Sequence, residues 1–164
     1  MKVTRREHLA ATPDEVYAVL IDPAFQQAKC DATTNGGVHT VEVTPAPVGA
    51  RIRTERELPS QGLPDVARSF VGDHLVIVES QEWAPPGPDG VHESSIDMHV
   101  RGAPLTLKGA VRLEPNDTGT VHSIDTVLRA QVPLIGGRIE RAAAHPINVA
   151  IDIEIRLLRE WLAR

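Results

Sequence analysis

The stretch from Pro133 to Arg164 constrains this chain most, because it is one long amphipathic segment placed after a series of strand-like runs. A terminal helix in a chain of antiparallel strands has one large apolar surface to rest on, the face of their sheet. From Pro146 onward a period of 3.6 gathers Ile147, Ala150, Ile151, Ile153, Leu157, Leu158 and Trp161 on one broad arc, with Asn148, Asp152, Arg156 and Arg159 opposite. An arc that wide suits a sheet curved around the helix. Gly136-Gly137 is expected to precede the helix, and Pro146, which lacks a backbone donor, predicts an interruption and a kink after His145.

Upstream the order is equally directive. After a short alternating run, Val3 to Leu9, Thr12-Pro13-Asp14-Glu15 forms a capping box, with Thr12 as N-cap, proline at the first helical position and Glu15 reaching back. A helix through Val16, Tyr17, Val19 and Leu20 follows, and Asp22-Pro23 caps a second that carries Phe25 and Cys30. Beyond the turn at Asn35-Gly36-Gly37 the period changes to two. Strand-like runs then occupy Val38 to Thr44, Arg51 to Leu58, His74 to Trp83, His92 to Arg101, Leu105 to Leu113 and Thr120 to Val132, with an excursion from Ser60 to Gly72. None has the spacing of a parallel strand-helix-strand unit, so an antiparallel meander is expected, with one wet and one covered face. The predicted fold class is α+β, a curved antiparallel sheet of about six to seven strands wrapped around a long C-terminal helix, with residues 1–164 forming one domain.

Composition narrows the function. Aromatics are only 3% of the chain, so Val, Ile, Leu and Ala must fill the interior, with Phe25, Phe70, Trp83, Trp161 and Tyr17 as the bulky members. A core short of large side chains leaves voids easily. A net charge of −5 with three lysines argues against a nucleic-acid partner. The single cysteine, Cys30, excludes an internal disulfide, the first residues lack a secretory apolar core, and no apolar run reaches the roughly 20 residues of a membrane helix. A cytoplasmic protein without integral membrane association is expected.

Charged residues at positions the pattern reserves for apolar ones mark the candidate site. Arg56 alternates with Ile52 and Leu58 on the dry face of its strand, and Glu79 shares a face with Leu75 and Ile77 on the next, so a hairpin would set the two close together. Glu154 falls inside the apolar arc of the last helix, either at a wet margin or projecting into a pocket. His122 alternates with the inward Ile124, Thr126 and Leu128, and Glu140 is a weaker candidate after the diglycine. Asp97 and His99 share a face but lie opposite Ile96 and Met98 and so in water, and two ligands do not make a metal site. No nucleotide, metallohydrolase or nucleophile-elbow motif occurs, and neither a metal nor a cofactor is expected.

Three stretches carry a resemblance: Ala11 to Leu20, the loop Thr44-Pro45-Ala46-Pro47-Val48-Gly49, and Val132 to Glu140. Together with the element order they resemble the START-like, or pollen-allergen-like, helix-grip superfamily, also called the SRPBCC or polyketide cyclase group, in an uncharacterised bacterial branch. The loop carries one glycine where plant allergens have a glycine-rich run. The resemblance implies a pocket between sheet and helix but no shared catalytic residues. The expected function is binding or carriage of a small hydrophobic ligand, lipid-like or polycyclic, lined by Met98, Leu107, Thr126 and Leu128, with Arg56, Glu79, His122 and Glu154 orienting its polar group. One alternative is a cyclase or dehydratase-like enzyme in which Glu154 or His122 moves a proton and Arg56 stabilises an enolate. Another is a protein-binding module, whose sign would be a large exposed apolar patch.

Overall fold

A computed structural model describes residues 1–45 and 49–164. The elements run β1 (Lys2–Leu9), α1 (Pro13–Leu20), α2 (Pro23–Thr34), β2 (His39–Pro45), β3 (Ala50–Pro59), α3 (Asp65–Val71), β4 (His74–Trp83), β5 (His92–Val100), β6 (Leu105–Asn116), β7 (Gly119–Ala130) and α4 (Gly136–Leu162). The seven strands form one antiparallel sheet in the order β1-β7-β6-β5-β4-β3-β2, with the first strand returning to pair with the last. Local chemistry sets the helix starts as the sequence reading requires. The Thr12 hydroxyl accepts from the Glu15 N–H while the Glu15 carboxylate accepts from the Thr12 N–H at 2.8 Å, and Asp22 accepts from the Ala24 N–H at 2.8 Å. Asn35 closes α2 in the left-handed region at φ 54°.

The covered face of the sheet holds two apolar clusters. In the larger, Leu9, Phe25, Ile52, Trp83, Leu113 and Leu158 bring α1, α2 and the C-terminal half of α4 onto the strands. Phe25 meets Trp161 edge to face at 5.5 Å, and Trp83 meets Tyr17 in the same way at 5.4 Å. The smaller cluster centres on Val3, Leu107 and Leu128 beneath the first half of α4.

Four expectations are corrected. Gly136 and Gly137 lie inside the first turn of α4, and a side chain at Gly136 would collide with the Ala130 carbonyl, so glycine allows the helix to start against the end of β7. The helix continues through Pro146 without a break, because tertiary packing holds both halves; the Asn148 side chain donates to the Ala144 carbonyl at 2.9 Å in the turn around the proline. Ile155, omitted from the apolar arc, is among its most buried members at 4% exposure, since α4 is covered by α1 and α2 as well as by the sheet. Phe70 is exposed rather than part of the core: the Ser60 to Gly72 excursion contains α3, none of whose residues is buried. Residues 46–48 of the Thr44 to Gly49 loop lie outside the described residues.

Candidate functional site

Strand alternation and register place most of the candidate side chains in rows across the covered face. One row runs Thr54, Glu79, Met98, Leu107 and Leu128, each directly opposite the next on β3, β4, β5, β6 and β7. The adjacent row runs Ile52, Gln81, Ile96, Gly109, Thr126 and Val3. Gly109 leaves this row without a side chain at its middle. A Cβ there would collide with the Asp125 carbonyl and stand 2.7 Å from the Thr126 Cα, so β7 approaches too closely for any other residue.

Arg56 and Glu79 meet as the alternation of their strands requires: Arg56 Nη2 donates to Glu79 Oε2 at 2.8 Å, and Arg56 Nη1 donates to Thr33 Oγ1 at 3.2 Å. The residue that completes the cluster is Lys29. Its ammonium, 2% exposed, stands 3.2 Å from Glu79 Oε1 and 3.5 Å from Glu154 Oε2, and so ties α2 to both β4 and α4. Gln81 Nε2 adds a third donor to Glu79, at 2.9 Å. Two cations and two carboxylates thus form a neutral cluster in which both oxygens of Glu79 are satisfied, whereas Arg56 Nε and Thr54 Oγ1 are buried without a partner. Burial pushes the Glu79 carboxyl up, but Lys29 and Arg56 outweigh it and hold the group at about 2. For Lys29 burial acts to lower the pKa, and the Glu154 and Glu79 carboxylates reverse the sign and raise it. Burial raises the neighbouring Cys30 thiol.

His122 stands further along β7, opposite Leu113 on one side and Glu7 on the other. It is 1% exposed, its Nδ1 has no partner, and burial lowers its pKa against the opposing charges of Glu154 and Glu7. Thr126 commits its proton to the Val3 carbonyl at 2.6 Å. Met98 packs against the smaller cluster with Ile96, Leu105, Ile147 and Ile151, and all five keep part of their surface open to water although they face inward. Glu140 braces α4 against the first residue and the end of β7: it accepts from the Ala130 N–H at 3.0 Å and lies 3.5 Å from the Met1 amine.

Depressions on the surface of the described residues lie away from this cluster. One of about 470 Å³ is lined by Thr4, Arg5, Arg6, Ser123, Asp125 and Asn148, and one of about 260 Å³ by Pro64, Val66, Arg138, Ile139 and Arg141. Neither is lined by Arg56, Glu79, His122 or Glu154. Asp97 and His99 lie on the wet face, where Asp97 pairs with Lys108 at 2.9 Å, and among the described residues no group of three His, Cys, Asp or Glu is arranged to hold a metal.

Sequence reasoning missed Lys29, Gln81 and Thr33. The available signal was the spacing Phe25, Gln26, Lys29, Cys30, a single face of α2 that packs inward, which puts one of only three lysines among core residues. It also missed His92, which is buried, stacks on Tyr17 at 4.5 Å and faces Asp14 Oδ1 at 2.7 Å from Nε2, joining β5 to α1.

Solved structures with the same fold include an aromatase/cyclase, Zhui, from Streptomyces sp. R1128, at 14% identity and a TM-score of 0.61, covering 100% of this chain and 94% of the other. A STAR-related lipid transfer protein fragment from Xanthomonas axonopodis matches at 16% identity and a TM-score of 0.58, covering 99% and 86%. At such identities the likeness establishes the fold, which is the START-like helix grip. In sequence, an uncharacterized protein of Mycobacterium tuberculosis strain H37Rv and one of Mycobacterium bovis are each 25% identical over 105 residues, which span 63% of this chain and 60% of the relative. Residues 4–162 match the family described as a protein of unknown function, DUF2505, and the chain belongs to that family.

Proposed function

We propose that this chain binds a small, largely apolar and uncharged ligand between α4 and the covered face of the sheet. The observation that carries this reading is the set of inward-facing apolar side chains, Ile96, Met98, Leu105, Ile147 and Ile151, that stay partly open to water beside a buried charge cluster. Apolar surface left wet on the inside of a fold is surface that a ligand can cover. Met98, Leu107 and Leu128 would contact its apolar body. Arg56, Glu79 and Glu154, with Lys29, would meet a hydroxyl, ketone or amide. A neutral headgroup is favoured because the cluster already balances its own charges, so an added anion would leave three negative groups against two cations. Kinship of fold with a lipid transfer protein and an aromatase/cyclase supports a ligand of this kind.

A second reading, proton transfer on such a ligand, has one specific observation behind it: His122 Nδ1 is buried and unpartnered, and the ring lies within the field of Glu154. Turnover lost in His122→Gln with ligand affinity retained would select it over carriage.

Native mass spectrometry of the purified protein, with identification of any molecule it retains, tests the binding reading directly, and titration with the neutral apolar dye Nile red tests it without a known ligand. Met98→Trp should fill the wet space, leave thermal stability unchanged or higher, and weaken dye binding about ten-fold or more. Absence of both a retained molecule and dye binding, with Met98→Trp destabilised by overpacking, would show that the interior is full and end the proposal.

A further inference from the structure

The end of the molecule where α4 begins carries apolar side chains that the described residues leave wholly or partly open to solvent. Leu134 is fully exposed, and Phe70 and Val66 on α3 are 39% and 36% exposed. Val66 and Pro64 share the depression of about 260 Å³ with Ile139, Arg138 and Arg141 of α4. The Phe70 carbonyl lies beside Gly102 in the β5–β6 turn, so α3, this turn and the segment entering α4 make one end of the fold.

Two local features of this end are unfavourable in themselves, although the turn at Leu134 lets the Ile135 N–H donate to the Pro133 carbonyl and the Gly136 N–H to the Val132 carbonyl, each at 2.9 Å. Leu134 adopts φ 68°, in the left-handed region that favours glycine and asparagine, while its side chain contacts only solvent. Arg138 sits in the first turn of α4, a turn with no acidic residue, where the helix dipole disfavours a cation. Neither Arg138 nor Arg141 has an ion-pair partner among the described residues. Of the acids at this end, Glu140 lies 3.5 Å from the Met1 amine, and Asp65, fully exposed on α3, stands 3.9 Å from Arg68.

We propose that this end docks peripherally on an anionic bilayer. Leu134, Val66 and Phe70 enter the boundary between headgroups and acyl chains, and Arg138 and Arg141 pair with lipid phosphates. Projecting apolar tips flanked by arginines match that boundary, whereas three exposed apolar side chains, of which only Val66 lines the small depression, fall well short of the roughly 800 Å² per partner of a stable protein interface. A chain of net charge −5 is repelled by an anionic surface in other orientations, so the two unpaired arginines also select the orientation. The docking surface goes beyond the ligand-binding proposal and needs no ligand in the interior.

The test is co-sedimentation of the full chain, free of added ligand, with vesicles of phosphatidylcholine alone and of phosphatidylcholine mixed with phosphatidylglycerol, at low and high salt. Binding is expected to the mixed vesicles and to weaken with salt. Replacing Arg138 and Arg141 by Gln should lower the partition coefficient by about five-fold per arginine. Leu134→Asn should lower it roughly ten-fold or more. The same substitution should leave thermal stability equal or higher, because asparagine tolerates the left-handed conformation. Failure to bind mixed vesicles, or binding that Leu134→Asn leaves intact, overturns the proposal. So does a dimer in sedimentation velocity that Leu134→Asn dissolves, which would make this end a contact between copies. Dye binding by the soluble protein is read separately, so loss of one proposal leaves the other standing.

Discussion

Glu79→Gln should remove the acid sensitivity that this carboxylate gives the fold between about pH 4.5 and about pH 2. The carboxyl is held at about 2 in the folded protein against an ordinary value of 4.5, so below 4.5 the unfolded chain takes up a proton that the folded chain refuses. The resulting stabilisation is fully present above pH 4.5 and is lost as the pH falls through the window towards 2. The difference corresponds to about 3 kcal/mol, and because the group is buried no discount for solvent screening applies. For a chain of this size it is a change in Tm of roughly 6–12 °C. Glutamine keeps the shape but leaves Lys29 with Glu154 alone and takes from Arg56 the carboxylate it pairs with, so at neutral pH the variant should be less stable by about 3–5 kcal/mol. The two proteins should therefore converge as the pH falls, which urea unfolding at neutral pH and near pH 3 will register as a shrinking gap in midpoint. Parallel curves across the window would refute the reasoning, since Glu79 would then not be the group whose protonation the network resists.

Gly109→Ala should cost about 2–3 kcal/mol or more in urea unfolding, because its Cβ meets backbone of β7, which cannot rotate away as a flexible side chain can; a wild-type midpoint would contradict the close approach of the two strands. His122 is buried and its pKa lowered, so the unfolded chain binds a proton first as the pH drops through about 6.5. Its stabilising contribution is therefore present above 6.5 and declines below it, and His122→Gln should flatten the stability profile there. An imidazole resonance titrating above 6.5 in the wild-type protein would show that the ring is not buried in its neutral form.

The fold was legible where local chemistry and tertiary packing agree. Thr12, Glu15 and Asp22 cap the helices that their side chains announce, and the alternation of Ile52, Thr54 and Arg56 against Arg51, Arg53 and Glu55 survives as the covered and wet faces of β3. Legibility failed where a long-range contact decided the matter. Periodicity after Pro146 could not show that Ile155 would be buried, because the surface covering it comes from elements over a hundred residues earlier. Phe70 looked like core by composition, yet α3 packs extensively on no element of the described residues and none of its side chains is buried. The charged site was half legible for the same reason. Arg56 and Glu79 follow from strand alternation and one hairpin, but Lys29 joins them only through the packing of α2 across the sheet, a contact fifty residues distant in sequence.

That Lys29 completes the cluster changes what the cluster can be for. A buried Arg-Glu pair alone would act as an inward brace, and apolar residues of similar volume often stabilise a core as well or better. Here the pair is extended by an ammonium and a second carboxylate reaching it from two helices, and Arg56 Nε and Thr54 Oγ1 are still left without partners. A network built only for stability would satisfy its own donors first, since each buried unpaired group costs about 1–3 kcal/mol. The row that continues from Glu79 through Met98 to Leu107 turns within two strands from charged to apolar, and Met98, between the two, stays partly wet. An uncharged polar group on an apolar body would satisfy the unpaired donors and dry the methionine in one step, which is why the proposed ligand is amphipathic and neutral rather than an acid.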